Sequence, residues 1–216
     1  MNNKQETIVE SAIQKFIDES LGELIDKDFI YNEFSLQHEL GIYLRKKLGK
    51  EYQIRFERNA LDMGLGIDKD ALIKKEIDIE ISNDKDRFAI ELKFPLKDQG
   101  AVEMHMCHFI EDIIFMKQMK DYGFKQTFVL TLVNDTKYYK ETGRDCKEVY
   151  KYFRVPQVVI NDKKLKDNSD ELKKYISKIE NITLGNEQKF NWEKVQNCSN
   201  AEYRFYFHPI YKIDKE

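Results

Sequence analysis

Apolar residues recur along the first part of the chain at helical spacing. Ile8, Val9, Ala12, Ile13, Phe16, Ile17 and Leu21 lie three and four apart, which predicts an amphipathic helix over residues 6–24. Leu36, Leu40, Tyr43, Leu44 and Leu48 form a second stripe, predicting a helix from about Ser35, a suitable N-cap, to Leu48, with Gly49 as its stop. The period then changes to that of strands. Residues 52–56 alternate, and beyond a loop containing Gly64 and Gly66 two more alternating runs appear at 76–82 and 87–94, joined by the turn-forming Asn83-Asp84-Lys85-Asp86. Val102, Met106, Phe109, Ile110, Ile113 and Met116 predict a long helix over 101–122 that ends at Gly123. Residues 128–133 are almost continuously apolar, as in a central strand covered on both faces. Past Asp135 the pattern weakens to a short helix near 144–152, a strand at 157–160, a helix at 169–179 and a strand at 203–207.

Composition narrows the class. With 216 residues, 41% hydrophobic, 14 Phe, 12 Tyr and only 9 Gly and 3 Pro, the chain can bury a core and has few breakers, which excludes disordered and collagen-like classes. No stretch approaches the roughly 20 apolar residues of a membrane span, and the opening Met-Asn-Asn-Lys-Gln-Glu lacks the apolar run of an export signal. A cytoplasmic protein without a membrane partner is expected. Cys107, Cys146 and Cys198 lie far apart and read as free thiols, not as a disulfide framework or a zinc site. The formal charge of -3 means that any nucleic-acid partner must be held by local basic patches.

The hairpin carries the candidate chemistry. Successive strand residues point to opposite faces, so Ile77, Ile79 and Ile81 share a face with Phe88, Ile90, Leu92 and Phe94. The other face holds Glu76, Asp78, Glu80, Ala89, Glu91 and Lys93. A four-residue turn sets Ser82 against Arg87, which places Asp78 opposite Glu91 and Glu76 opposite Lys93. Opposed carboxylates destabilise a strand pair, so a compensating cation is expected. Hard oxygen ligands suit Mg²⁺, with Mn²⁺ as a substitute. The alternative is a solvated face on which Glu76 pairs with Lys93.

Asp78 followed by Glu91-Leu92-Lys93, between an earlier helix bearing a carboxylate and a later helix and strand, resembles the PD-(D/E)XK nuclease superfamily over roughly residues 35–134. The resemblance implies an α/β fold of restriction-endonuclease type: a mixed central sheet flanked by helices, with a C-terminal α+β elaboration. It implies one domain, with a nuclease-like core at about 30–135, an N-terminal helix at 5–24 and the elaboration at 136–216. It further implies that Asp78 and Glu91 bind Mg²⁺, that the Leu92 carbonyl adds a ligand, and that Lys93 positions or activates the attacking water. Glu39 on the first core helix looks like the family's helix glutamate and is the fourth metal-ligand candidate; a boundary glutamate paired to Tyr43 or Arg45 is its other reading. Ile77 stands where the family name has Pro, at a position that varies in the superfamily.

The expected activity is hydrolysis of duplex DNA by a restriction-type endonuclease. A homodimer would serve to cut both strands, although no interface is marked in the sequence. Arg55, Arg58, Lys74, Lys75, Lys117, Lys120 and Lys125 flank the motif and are candidates to hold DNA, against a plain surface role. Competing readings are a non-catalytic binding module on the same fold and an exonuclease, the latter suggested by Gln118 and Tyr122 in a Gln-x-x-x-Tyr pattern. His105 and His108 share a helix face but lack a second ligand pair for zinc. Gly64-x-Gly66 reads as a loop. The run from Tyr203 to His208 could stack bases, but reads more simply as a core strand.

Overall fold

A computed structural model of the chain describes residues 6–97, 100–141, 148–154, 158–163 and 187–211, with Leu172, Lys174, Ile176 and Leu184 as isolated positions. The N-terminal stripe folds as two helices, α1 (Ile8–Glu19) and α2 (Leu21–Asp26), because the chain bends at Ser20. α3 (Glu33–Leu48) starts two residues before the expected N-cap. Asn32 caps it, in a box where its side chain accepts from the Ser35 N–H and Ser35 answers the Asn32 N–H. Gly49 ends the helix at φ +68°, a conformation that glycine adopts without penalty.

The strands are β1 (Gln53–Asn59), β2 (Glu76–Ser82), β3 (Arg87–Lys93), β4 (Gln126–Val133), β5 (Glu193–Lys194) and β6 (Arg204–Ile210), with α4 (Val102–Asp121) between β3 and β4. They form one mixed sheet in the order β1-β2-β3-β4-β6-β5. β3 and β4 are parallel, joined through α4, and the other neighbours are antiparallel. This establishes a mixed α/β architecture with helices on both sides of the sheet. Ile79, Ile81, Phe88, Ile90 and Leu92 pack against α1 and α3. Ala89, Val129 and Val133 pack against α4 and the aromatic residues that follow β4. No helix among the described residues is long and apolar enough to cross a membrane.

The last part of the chain differs most from expectation. α5 (Glu148–Phe153) accounts for the described part of the predicted helix, and Ile160 makes an isolated bridge with Gln188 where a strand was expected. The helix expected at 169–179 lies largely outside the described residues. β6 is longer than predicted and enters the sheet beside β4, so the C-terminal region supplies sheet strands as well as a covering layer.

One close approach locks this region to the N-terminal helices. A Cβ on Gly22 of α2 would lie 2.0 Å from the Gln196 carbonyl oxygen, and the Asp26 carboxylate accepts from the Ser199 N–H at 2.9 Å. Alanine in a solvated helix gains about 1 kcal/mol over glycine. Here the clash is with backbone and cannot be relieved by a rotamer change. Gly22→Ala is therefore expected to lower stability by about 1–3 kcal/mol, read as a fall in the urea midpoint; a midpoint raised as in an open helix would refute the locked contact.

Candidate functional site

The hairpin register runs as expected from Ser82↔Arg87 to Ile79↔Ile90 and then changes character. Beyond that point the ladder gives way to a side-chain bond: Asp78 Oδ2 accepts from the Leu92 N–H at 2.6 Å. On the other edge, the Asp78 carbonyl accepts from Gln37 Nε2 of α3 at 2.9 Å, and Glu57 of β1 takes a positive φ of 48°. Left-handed backbone at a non-glycine residue is costly and persists only where its surroundings impose it. The consequence is that β2 turns over at Asp78. Ile79 and Ile81 pack toward α3, whereas Ile77 packs toward α4, which corrects the expectation that all three share a face.

The charged face is buried, not solvated. Glu91 and Asp112 of α4 are both 0% exposed, and Lys74, just before β2, bridges them: its Nζ donates to Glu91 Oε2 in a short bond and to Asp112 Oδ1 at 2.7 Å. Lys93 Nζ lies 3.2 Å from Glu33 Oε1 and 4.0 Å from Asp112 Oδ2. Glu33 Oε2 also accepts from the Phe94 N–H at 3.0 Å, tying the start of α3 to the end of β3. The segment carrying Lys74 is fastened to α4 by Gln118, whose Oε1 accepts from the Ile73 N–H and whose Nε2 donates to the Ala71 carbonyl. That bond gives Gln118 a structural role, and Tyr122 ends α4 as its C-cap.

Burial dominates the electrostatics. It pushes the Asp78 carboxyl up from 3.8 to about 6, against the attraction of Lys93 and Lys74. Burial, reinforced by repulsion from Asp78, holds Glu91 well above the usual carboxylate range. Glu111 is pushed to about 7 by burial and by Asp112. For Lys93, burial opposes the charge, but the carboxylates of Asp112, Glu33 and Asp78 prevail and raise its pKa above the ordinary lysine value. Lys93 is thus a fixed ammonium in this state, suited to binding and orienting a reactant and not to accepting a proton.

A cleft of about 460 Å³ opens beyond Lys93, between Asn32, Glu33 and Phe34 at the start of α3, the chain leaving β3, and His105 and His108 on α4. Phe34 is 72% exposed at this cleft. Burial lowers the pKa of both histidines, and His105 Nδ1 is paired with the Tyr138 hydroxyl at 2.6 Å. Asp78, Glu91 and Asp112 do not line the cleft.

Of the residues singled out in the sequence, Asp78, Glu91 and Lys93 come together, with Leu92 joined to Asp78 through its N–H. Glu39 does not join them: it lies 3.5 Å from His38. Around α3 at 100° per residue, Glu39 falls on one side of the Leu36–Leu40 stripe, whereas Glu33 and Gln37 fall on the other, the side that meets the site. Glu76 pairs in register with Asn59 of β1 and not with Lys93. Arg55 and Arg58, with Arg87, surround the buried Glu80 carboxylate at 3.4, 3.8 and 3.6 Å, so these two candidate DNA contacts are its counterions. Lys74 belongs inside the site. Lys75 is exposed, Lys117 pairs with Asp121, Lys120 donates to the Phe124 carbonyl, and Lys125 pairs with Asp86. The run from Tyr203 to His208 lies mainly in β6, with Phe205 and Tyr206 buried.

Asp112 was the functional candidate that strand reasoning passed over. Its signal was the acid pair Glu111-Asp112 set between Phe109-Ile110 and Ile113-Ile114-Phe115, where a charge turned inward needs a buried partner. Two oxygens of the cluster remain buried without a hydrogen-bond partner, Glu91 Oε1 and Asp112 Oδ2. Such hard, unpartnered oxygens fit a divalent cation. Among the described residues, however, no three His, Cys, Asp or Glu side chains stand together as a metal-binding group. Comparison with known protein families, with curated proteins and with solved structures finds no match to this chain.

The Asp78 shift predicts a pH dependence. Between 3.8 and about 6 the folded protein holds more protons at this position than the unfolded chain, so its contribution to stability falls as pH rises through that window and is level above it. Asp78→Asn keeps an oxygen for the Leu92 N–H and cannot ionise. The variant should gain on the wild type from about pH 4 to about pH 6 and be about 1–3 kcal/mol more stable at neutral pH. Urea unfolding at several pH values measures the gap; a gap that does not grow with pH would refute the buried-charge account.

Proposed function

We propose that the protein is a divalent-metal-dependent phosphodiesterase acting on DNA, most simply an endonuclease of duplex substrates. The observation that carries this reading is the pair of buried, unpartnered carboxylate oxygens on Glu91 and Asp112, set behind a lysine that faces an open cleft. Asp78, Glu91 and Asp112 are the residues that would hold the ion, with the Leu92 carbonyl as a further donor. When bound, a divalent ion supplies an acidified water and relieves charge on the phosphate.

The remaining work falls to the protein. Lys93 presents a permanent ammonium to the cleft, where it would anchor a phosphate oxygen and orient the attacking water. The Leu92 N–H holds the Asp78 carboxylate in place, and Gln37 holds the strand behind it. His105 and His108 would present neutral imidazole edges to the phosphate backbone. Duplex DNA and a restriction role rest on the resemblance of Asp78 and Glu91-Leu92-Lys93 to the nuclease superfamily. A non-catalytic binding module is the second reading, favoured by Lys74 already neutralising Glu91 and Asp112.

Incubation of supercoiled plasmid and linear duplex with Mg²⁺ or Mn²⁺ tests the proposal. The wild type should nick and linearise the circle, and Lys93→Met and Asp78→Asn should each lose about 100-fold or more of that rate. Urea unfolding of the same Asp78→Asn protein separates a catalytic loss from unfolding. Cleavage of linear ends alone would redirect the reading to an exonuclease. Undiminished cleavage by both variants would reject the site, and no cleavage of any DNA or RNA would favour the binding module.

A further inference from the structure

We infer that Lys74 is an internal stand-in cation: its ammonium occupies the acidic site between Glu91 and Asp112 and leaves when a divalent metal ion binds those same two carboxylates. The inference rests on the metal-dependent reading above and assigns two residues, Lys74 and Asp112, that the strand motif does not include.

The geometry is direct. The Lys74 Nζ touches one oxygen each of Glu91 and Asp112, so a single small cation at that position reaches both. The second oxygen of each carboxylate is buried without a hydrogen-bond partner. Independently of the acids, Thr131 Oγ1 is also buried without a partner; Thr131 pairs with Lys93 in the β3–β4 register, and so stands on the same face of the sheet. A buried hydroxyl left unpaired costs free energy, and its place on the acids' face of the sheet, in register with Lys93, points to a ligand or its water shell.

The charges agree. Asp78, Glu91, Asp112 and Glu33 face Lys74 and Lys93, which leaves a formal excess of two negative charges; a divalent ion in place of Lys74 halves it. A buried acid without a cation is expensive, so a metal-free protein of this design needs such a substitute. The exchange also needs little movement. The backbone on either side of Lys74 is fixed, through Gln118 at Ala71 and Ile73 and through β2, while the side chain is 23% exposed on a flexible four-carbon stem. Rotation of that stem toward solvent suffices.

Calorimetric titration of Mn²⁺ into the full, DNA-free chain tests the exchange. Lys74→Met should bind Mn²⁺ about tenfold or more tightly than the wild type, and Asp112→Asn about tenfold or more weakly. A second measurement uses only the wild type: acetylation of Lys74 by an amine-reactive ester, followed by peptide mass spectrometry, should speed up several-fold when Mn²⁺ is added. It remains decisive even where Lys74→Met fails to fold. Mn²⁺ binding to the wild type with no change in Lys74 acetylation, or with Lys74→Met no tighter, overturns the exchange and leaves the metal-dependent reading standing. No Mn²⁺ binding by any of the three proteins overturns both.

Discussion

Burying carboxylates beneath a helix requires cations to be buried with them, and much of this structure is arranged around that requirement. The face of β2 and β3 turned toward α4 carries Asp78, Glu80 and Glu91, and α4 adds Asp112. Near the outer edge of the sheet three arginines answer Glu80. Toward the centre two lysines answer the rest. At an effective dielectric constant of about 20, one charge pair at 4 Å is worth about 4 kcal/mol, comparable with the cost of desolvating a single ion, so no acid of the group could stay charged alone. The supporting contacts then have a common purpose. Gln118 holds the Lys74 segment against α4, Glu33 brings the start of α3 to Lys93, and the Leu92 N–H fixes Asp78.

The two clusters differ in a way that matters for chemistry. Around Glu80 the arginines are partly exposed and flank the acid from three sides, a settled arrangement of counterions. Around Glu91 and Asp112 the acids keep unpartnered oxygens, and the neutralising group is a lysine with a mobile stem. In the first cluster three arginines outnumber the single acid. The second keeps a formal excess of negative charge, and Lys93 at its margin lines the cleft.

The hairpin was legible from its turn as far as Ile79 and Ile90. Alternation and turn chemistry located β2 and β3 within one residue and gave the observed Ser82↔Arg87 register, because both depend on local backbone geometry. The reversal of β2 at Asp78 was not legible, since it arises where Gln37 of α3 and the Leu92 N–H take over the ladder's bonds from positions distant in the chain. The stripe set Glu39 at its margin, but a stripe does not say which flank meets the sheet, and Glu33 on the other flank is the one that reaches Lys93. Lys74 read as one of several flanking basic residues that could hold DNA; only the arrival of α4 turns it inward. The weak pattern after Asp135 concealed the fact that β6 lies inside the sheet.

That placement makes α4 a helix with two burdens. One side carries Asp112 into the acid cluster, while Phe109, one helical turn away, packs edge-on against Trp192 at 6.2 Å, and Trp192 in turn donates its indole N–H to the Phe153 carbonyl. The chain has a single tryptophan. Its emission therefore reports on one event, the seating of the C-terminal residues against Phe109, on the same helix that carries Asp112. A built-in optical reporter thus stands against the residue one helical turn before Asp112, where it can follow assembly of the helix that holds the site without a label.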